Sequence, residues 1–135
     1  MPAFLDVPPN HAPVVITEDG GGLVQKYLDQ ALRYALEKRE VQIAGSCRSA
    51  CMLALSLDRV CVWPEAEVKV HHAYDRDTGR IRYDITNLMT SVLPEKIQKR
   101  LAGNIRSEYW EGATMTGDEL VSLGVKRCEL TSVSR

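Results

Sequence analysis

The stretch that decides the fold is VQIAGSCRSACMLALSL, residues 41–57. Its largely apolar first four residues, followed by Gly45, predict a short strand over residues 41–44. Residues 49–57 then predict a buried helix, because four apolar side chains would share one helical face: Ala50, Leu53, Ala54 and Leu57. A strand that turns directly into a helix is typical of α/β proteins.

A second strand and helix precede this stretch. The β-branched run at residues 14–17 predicts a buried strand, which leads into a loop with three consecutive glycines at residues 20–22. A helix over residues 23–38 follows, because apolar side chains recur there at three- and four-residue spacing: Val24, Tyr27, Leu28, Ala31, Leu32 and Ala35. The prolines at positions 2, 8, 9 and 13 predict an irregular arm over residues 1–13, and one domain follows over residues 14–135.

The chain beyond residue 57 predicts shorter elements. Strands are predicted over residues 60–62 and 67–70, followed by a turn at 77–79. Helices are predicted over 84–93 and 94–102, and Gly103-Asn104 stops the second of them. A last helix starts with a capping box at 116–119 and ends at Gly124, and an edge strand begins at Val125. Strands that alternate with helices in this way predict an α/β fold with a mainly parallel sheet and flanking helices.

The composition is that of an ordinary globular protein. The chain has 135 residues, 44% of them hydrophobic and 26% charged, with a net charge of -1. Basic residues are spread along the sequence, so we expect no nucleic-acid partner. The longest apolar stretch, residues 52–57, is too short for a membrane span, and the N-terminus does not resemble a secretory signal. We therefore expect a cytoplasmic protein, although a mature exported protein would have the same composition, and four cysteines fit either compartment.

Two backbone turns carry the first signs of chemistry. Ser49 would open a helix after a tight turn, where its hydroxyl is exposed and the N–H of Ala50 faces a developing oxyanion. Gly20 and Gly21 end the first strand and can bring N–H groups close to a substrate carbonyl oxygen. The alternatives are structural: Ser46 or Ser49 caps the helix, and the glycines form a flexible turn.

A pair of histidines ends the strand at residues 67–70. Alternation along the strand sends the side chains of His71 and His72 to opposite faces, so only one of them can point toward the serine. The pair could also bind a metal with Cys47 and Cys51, but a Cys-x₃-Cys spacing is poor for zinc, and we expect no metal site. We expect these two cysteines to be small buried hydrophobic residues, with a regulatory disulfide as the alternative.

These segments resemble the ClpP-like serine proteases of the ClpP/crotonase superfamily, especially bacterial members with a Ser-Ala-Cys nucleophile turn. In that family a glycine pair precedes the nucleophile by a little under thirty residues, and the base follows it by slightly over twenty. The intervals from Gly21 to Ser49 and from Ser49 to His71 fit both. The resemblance implies Ser49 as nucleophile, His71 as general base, the N–H groups of Gly21 and Ala50 as oxyanion hole, and no cofactor.

The resemblance covers residues 14–125 and includes two departures. The family's aspartate has no acidic counterpart here, because Gly112 stands at the matching position. The third catalytic member is therefore open among Glu111, Glu108 and Asp75. The family also carries a strand and a helix before the glycine-loop strand, so the resemblance implies a ClpP/crotonase-like fold that is shortened at its N-terminus.

The resemblance implies a serine hydrolase, most simply a peptidase that acts on a peptide or protein substrate. A catalytically silent subunit that serves oligomeric assembly or partner binding is the alternative. Acyl-CoA chemistry of the crotonase kind is a third hypothesis, which gives Ser49 and His71 no joint role. An exposed sheet edge in a shortened domain predicts a homo-oligomer.

Overall fold

The computed structural model describes residues 12–102 and 112–130, which form a mixed α/β structure. The elements are, in order, β1 (Val14–Asp19), α1 (Val24–Glu37), β2 (Val41–Arg48), a 3₁₀ helix (Ser49–Ser56), β3 (Val60–Val62), β4 (Glu67–Val70), α2 (Tyr83–Ser91), α3 (Glu95–Leu101), β5 (Ala113–Thr116), α4 (Gly117–Ser122) and β6 (Lys126–Arg127). The predicted N-terminal arm and the predicted helix stop at Gly103-Asn104 lie largely or wholly outside these residues.

Strand β2 is the centre of the sheet. It pairs in parallel with β1 on one side, and on the other side with β3 along its first half and with β4 along its second half. Strand β6 extends the sheet in parallel beyond β3, whereas β5 pairs antiparallel with β4. The prediction of a mainly parallel sheet is thus confirmed. Strand β5 was not predicted, because the sequence indicates no element between residue 104 and the capping box at residues 116–119.

Strand β2 runs past Gly45, where the sequence predicted that it ends. The register of β1 and β2 shifts by one residue between Ile16 and Glu18, so β2 accommodates a bulge beside Thr17. A side chain at Gly45 would place its Cβ 2.1 Å from the carbonyl oxygen of Thr17. The glycine therefore permits a close backbone contact inside the strand, and β2 continues to Arg48.

The segment after β2 is a 3₁₀ helix that is buried on nearly all sides. Five of its eight residues are buried, and they do not form the single face that the α-helical prediction assumed: Ala50, Cys51, Met52, Leu53 and Leu55. The helix contacts α1 as well as β2, β3 and β4. A helix enclosed in this way needs apolar residues around its circumference.

Strand β1 and helix α1 are more exposed than the sequence predicted. Strand β1 alternates between half-buried and exposed side chains, and Val15 is 52% exposed, because only β2 pairs with β1 among the described residues. Helix α1 has the predicted bounds to within one residue and packs partly against the core, but Leu32 is 60% exposed. In the described ranges no helix is long and apolar enough to cross a membrane.

The C-terminal elements follow the predicted capping pattern with one difference. The Thr116 hydroxyl accepts a hydrogen bond from the Glu119 N–H at 3.1 Å, as an N-cap should, and Gly124 adopts a φ of 102° after α4. The Glu119 carboxylate does not close the capping box, because it accepts a hydrogen bond from Arg100 of α3. Disulfides join Cys47 to Cys51 and Cys61 to Cys128, so all four cysteines are paired.

Candidate active site

The three segments that the sequence singled out lie at the carboxyl edge of three parallel strands. Asp19 at the end of β1 is in register with Cys47 of β2, and Arg48 at the end of β2 is in register with Lys69 of β4. The glycine loop, Ser49 and His71 each follow one of these three strands. Carboxyl ends of parallel strands are the usual location of ligand sites in open α/β sheets.

Ser49 forms an unusual turn between β2 and the 3₁₀ helix. It is half-buried and has a φ of 56°, in the left-handed region that residues with a side chain adopt only at a cost in free energy. As the first residue of the helix, it precedes Ala50, whose N–H has no acceptor inside the helix. Within the described residues, the Ser49 hydroxyl makes no hydrogen bond of its own.

The structural alternative for the two serines is wrong. The N-cap position of the 3₁₀ helix is Arg48, and no side chain caps the helix. The Ser46 hydroxyl instead accepts a long hydrogen bond, 3.4 Å, from Nε of Arg48. Helix capping therefore does not explain either serine, and the left-handed conformation of Ser49 needs another reason.

The glycine loop presses against the Ser49 turn. Gly21 has a φ of 86°, and a Cβ atom there would lie 2.7 Å from the Arg48 carbonyl oxygen, 2.8 Å from Cβ of Ser49 and 3.3 Å from the Ala50 nitrogen. No side chain fits in this space. Gly21 is thus a close-contact position and not merely part of a flexible turn.

The N–H of Gly21 already has a partner. It donates to Oδ1 of Asp19 at 2.9 Å, and the Tyr27 hydroxyl donates to the same oxygen at 2.6 Å. Gly21 therefore lies where the sequence predicted, beside Ser49, but an acidic side chain accepts its N–H. Sequence reasoning did not identify Asp19 or the hydroxyl of Tyr27, because both fall in segments that were interpreted as a loop and a helix face.

The environment of Tyr27 gives a pH-dependent prediction. Burial, and next the hydrogen bond to Asp19, raise the pKa of Tyr27 to about 12 from 10.0. The raised pKa favours the neutral phenol in the folded state, so its contribution to stability is complete below pH 10.0 and is lost as the pH rises toward about 12. We expect urea unfolding to reveal this loss in the wild-type protein and a flatter profile over the same range in Tyr27→Phe. Identical profiles for the two proteins would contradict the prediction.

His71 is held in the tautomer that a general base requires. Its Nδ1 lies 2.9 Å from the carbonyl oxygen of His72. A carbonyl oxygen only accepts, so Nδ1 carries the proton and the neutral ring keeps its lone pair on Nε2. Within the described residues no hydrogen bond joins Ser49 to His71; the two residues follow neighbouring strand ends.

Of the three acidic candidates for the third member, only Asp75 lies within the described residues, and it makes no hydrogen bond or ion pair with His71. The carboxylate of Asp75 accepts hydrogen bonds from the N–H groups of Asp77 and Thr78, at 2.8 and 3.0 Å, and so closes its own turn. These backbone bonds, that of Thr78 first, hold the pKa of Asp75 below its ordinary value. Glu108 and Glu111 lie outside the described residues. The His72 carbonyl oxygen lies beside Nδ1 of His71, in the position that an orienting carboxylate would have. The sequence could not predict this contact, because a backbone carbonyl has no sequence signature.

The neighbouring histidine belongs to a different part of the structure. Nδ1 of His72 lies 3.3 Å from the hydroxyl oxygen of buried Thr86 in α2, and its ring meets the edge of Tyr83. Burial, and next the charge of His71, lower the pKa of His72. His72 therefore attaches the end of β4 to α2, which leaves His71 as the histidine of this pair that is available to the serine.

The two cysteines argue against a metal site that they would share with the histidines. Cys47 and Cys51 form a disulfide, so neither supplies the thiolate that a metal ion would need. Both cysteines are buried, as predicted, but the expectation of unpaired hydrophobic residues is wrong.

No model of a known protein family matches the chain. A search of curated proteins also finds no match.

Proposed function

We propose that this chain is a serine hydrolase of the ClpP/crotonase-like type that cleaves peptide or protein substrates. The observation that carries the proposal is the conformation of Ser49: a left-handed serine that opens a helix, caps nothing, and touches a glycine with no room for a side chain. Strain of this kind clusters at functional sites. Its neighbours supply the other groups that acyl transfer requires.

In the proposed mechanism, Oγ of Ser49 attacks the substrate carbonyl carbon while its proton moves to Nε2 of His71. The carbonyl oxygen becomes an oxyanion that accepts a hydrogen bond from the Ala50 N–H. The imidazolium then gives its proton to the leaving amine, and water hydrolyses the acyl-enzyme by the same route. The His72 carbonyl keeps His71 oriented throughout.

Two features predict a slow enzyme. A carbonyl group carries no net charge, so the His72 carbonyl stabilises the imidazolium less than an orienting carboxylate does. The Gly21 N–H donates to the Asp19 carboxylate, so the Ala50 N–H is the one donor that is available to the oxyanion. The Gly21 N–H becomes a second donor only when the substrate oxyanion replaces Asp19 as its acceptor. One donor contributes about 3 kcal/mol to transition-state stabilisation.

The second candidate function is a catalytically silent subunit. The hydrogen bond from Gly21 to Asp19 and the lack of one between Ser49 and His71 favour it in the described structure. In this case the strained turn would be an inherited feature of the fold, and the chain would act through assembly or partner binding.

Reaction with an activated ester distinguishes the two functions. We expect wild-type protein to release a burst of nitrophenol from p-nitrophenyl acetate, with an amplitude of about one equivalent, as the acyl-enzyme accumulates. Ser49→Ala should remove the burst, and His71→Ala should slow it to the level of Ser49→Ala. A burst that persists in Ser49→Ala would contradict the hydrolase, and absence of a burst from folded wild-type protein would favour the silent subunit.

The two disulfides indicate the redox state of the cellular compartment in which the protein resides. Cytosolic reductants keep most thiols reduced, whereas all four cysteines here are paired. We therefore propose an oxidising compartment, in place of the cytoplasm that the sequence suggested by default.

Self-association is also part of the proposal. Strand β1 is paired only with β2 among the described residues, and Val15, Leu32 and Leu36 are all more than half exposed on β1 and α1. Contact between copies of the chain would bury this apolar surface. We expect light scattering to give a mass above that of the 15.1 kDa monomer and Leu32→Glu/Leu36→Glu to lower it. A monomeric wild-type protein would contradict self-association.

A further inference from the structure

One disulfide encloses the turn that carries the proposed nucleophile. Cys47 lies near the end of β2 and Cys51 in the first turn of the 3₁₀ helix, and the three residues between them are Arg48, Ser49 and Ala50. The Cα atoms of the two cysteines are 5.4 Å apart. The bond therefore ties the strand end directly to the helix start across Ser49.

The enclosed residues have a conformation that the chain would not favour by itself. Ser49 has a φ of 56°, and a single left-handed residue with a side chain costs free energy that its surroundings must supply. No side chain caps the helix at this point, so capping does not supply it. The cross-link and the contact with Gly21 both constrain the turn directly.

The direction of two proposed catalytic groups depends on this turn. The φ of Ser49 sets the direction of the Cα–Cβ bond from which its Oγ projects, and its ψ orients the peptide plane that carries the Ala50 N–H. A change in the turn would move the nucleophile and the oxyanion donor together. Misplacement of reacting groups by about 1 Å can cost about 10²-fold in rate.

We propose that the Cys47–Cys51 disulfide is a positioning element of the active site, which holds Ser49 and the Ala50 N–H in their reactive orientation. This inference rests on the proposed hydrolase function. It assigns Cys47 and Cys51 a role in the rate of the chemical step, through Ser49, and no direct contact with substrate.

Burial argues for a permanent positioning element and against a regulatory switch. Cys47 is fully buried and Cys51 is 2% exposed, so a reductant in solution reaches the bond only after the turn opens. Regulatory disulfides are typically exposed. The bond is therefore part of the folded site under ordinary conditions.

The second disulfide provides a matched control. Cys61–Cys128 is also buried but spans 67 positions, whereas Cys47–Cys51 spans 4, so its removal should cost more stability by the entropy of loop closure. It joins β3 to the residue after β6, and neither cysteine adjoins Gly21, Ser49 or His71 in the sequence, although His71 lies within the loop that the bond closes. The two bonds thus separate an effect on stability from an effect on the nucleophile.

The experiment measures labelling by a fluorophosphonate probe in wild type, Cys47→Ala/Cys51→Ala and Cys61→Ala/Cys128→Ala. Each protein is assayed at a temperature where circular dichroism shows it to be folded. We expect Cys47→Ala/Cys51→Ala to lower the maximal labelling rate by about 10²-fold, with little change in the half-saturating probe concentration. Cys61→Ala/Cys128→Ala should have the lower Tm and label at the wild-type rate.

If folded Cys47→Ala/Cys51→Ala is labelled at the wild-type rate, the disulfide has no positioning role. This result would leave the proposed hydrolase function unaffected. An unlabelled wild-type protein would overturn the hydrolase itself, and the positioning role with it. If the alanine pair does not fold, Cys47→Val/Cys51→Ala, which restores part of the lost core volume, replaces it under the same criterion.

Discussion

Gly21→Ala should abolish acylation of Ser49 and lower the free energy of unfolding by roughly 3 kcal/mol. The new Cβ would lie 2.7 Å from the Arg48 carbonyl oxygen and 2.8 Å from Cβ of Ser49, which is shorter than non-bonded atoms tolerate. The φ of 86° adds a backbone cost for any residue with a side chain. The loop can relieve the clash only by moving away from the Ser49 turn, and this movement removes the second oxyanion donor and one constraint on the nucleophile.

The neighbouring glycine is the control for this substitution. A Cβ at Gly20 would have no atom within 4 Å, and its backbone φ is not in the left-handed region. We expect Gly20→Ala to keep the acylation rate and to change stability by about 0.5 kcal/mol or less. Urea unfolding and ester burst kinetics on both variants measure the two effects. Wild-type stability and acylation in Gly21→Ala would mean that the loop does not press on the Ser49 turn.

Removal of the Cys61–Cys128 disulfide should have the largest effect on stability. A cross-link with a sequence separation of 67 lowers the entropy of the unfolded chain by an amount that corresponds to about 4 kcal/mol. The bond also holds an edge of the sheet, because β6 is two residues long and Cys128 follows it with one further backbone hydrogen bond to Val62. We expect Cys61→Ala/Cys128→Ala to lower Tm by roughly 10–20 °C.

The Cys47–Cys51 disulfide provides a comparison for this loss of stability. By the same loop-closure argument, Cys47–Cys51 with a separation of 4 contributes about 2 kcal/mol. Thermal unfolding of both double variants should therefore rank Cys61→Ala/Cys128→Ala as the less stable. The reverse order would show that chain entropy does not govern the contribution of these bonds.

The elements predicted best are those with a strong local pattern. Helix α1 follows from its apolar spacing, and β3 and β4 follow from short β-branched runs. The end of β2 was mispredicted because a glycine in a sequence marks a turn and a bulge equally well, and only the position of Thr17 on β1 distinguishes them. Strand β5 was missed because a four-residue strand at a sheet edge depends on its partner β4 more than on its own sequence.

The candidate site likewise has features that the local sequence predicts and features that depend on the folded chain. The position of Gly21, Ser49 and His71 after neighbouring strands was predictable, because parallel strands end at one edge of the sheet. The disulfide across Ser49 was not, since a Cys-x₃-Cys spacing fits paired and unpaired cysteines alike. The His72 carbonyl beside His71 could not be predicted either, because every residue has a carbonyl group and only the folded backbone gives this one its role.

The most direct test of the proposed hydrolase is to treat the folded, disulfide-bonded protein with a fluorophosphonate and to locate the modified residue by peptide mass spectrometry. We expect one adduct, on Ser49, which is absent from Ser49→Ala and strongly reduced in His71→Ala. An unmodified Ser49 in folded wild-type protein, or an adduct on a different serine, would contradict it.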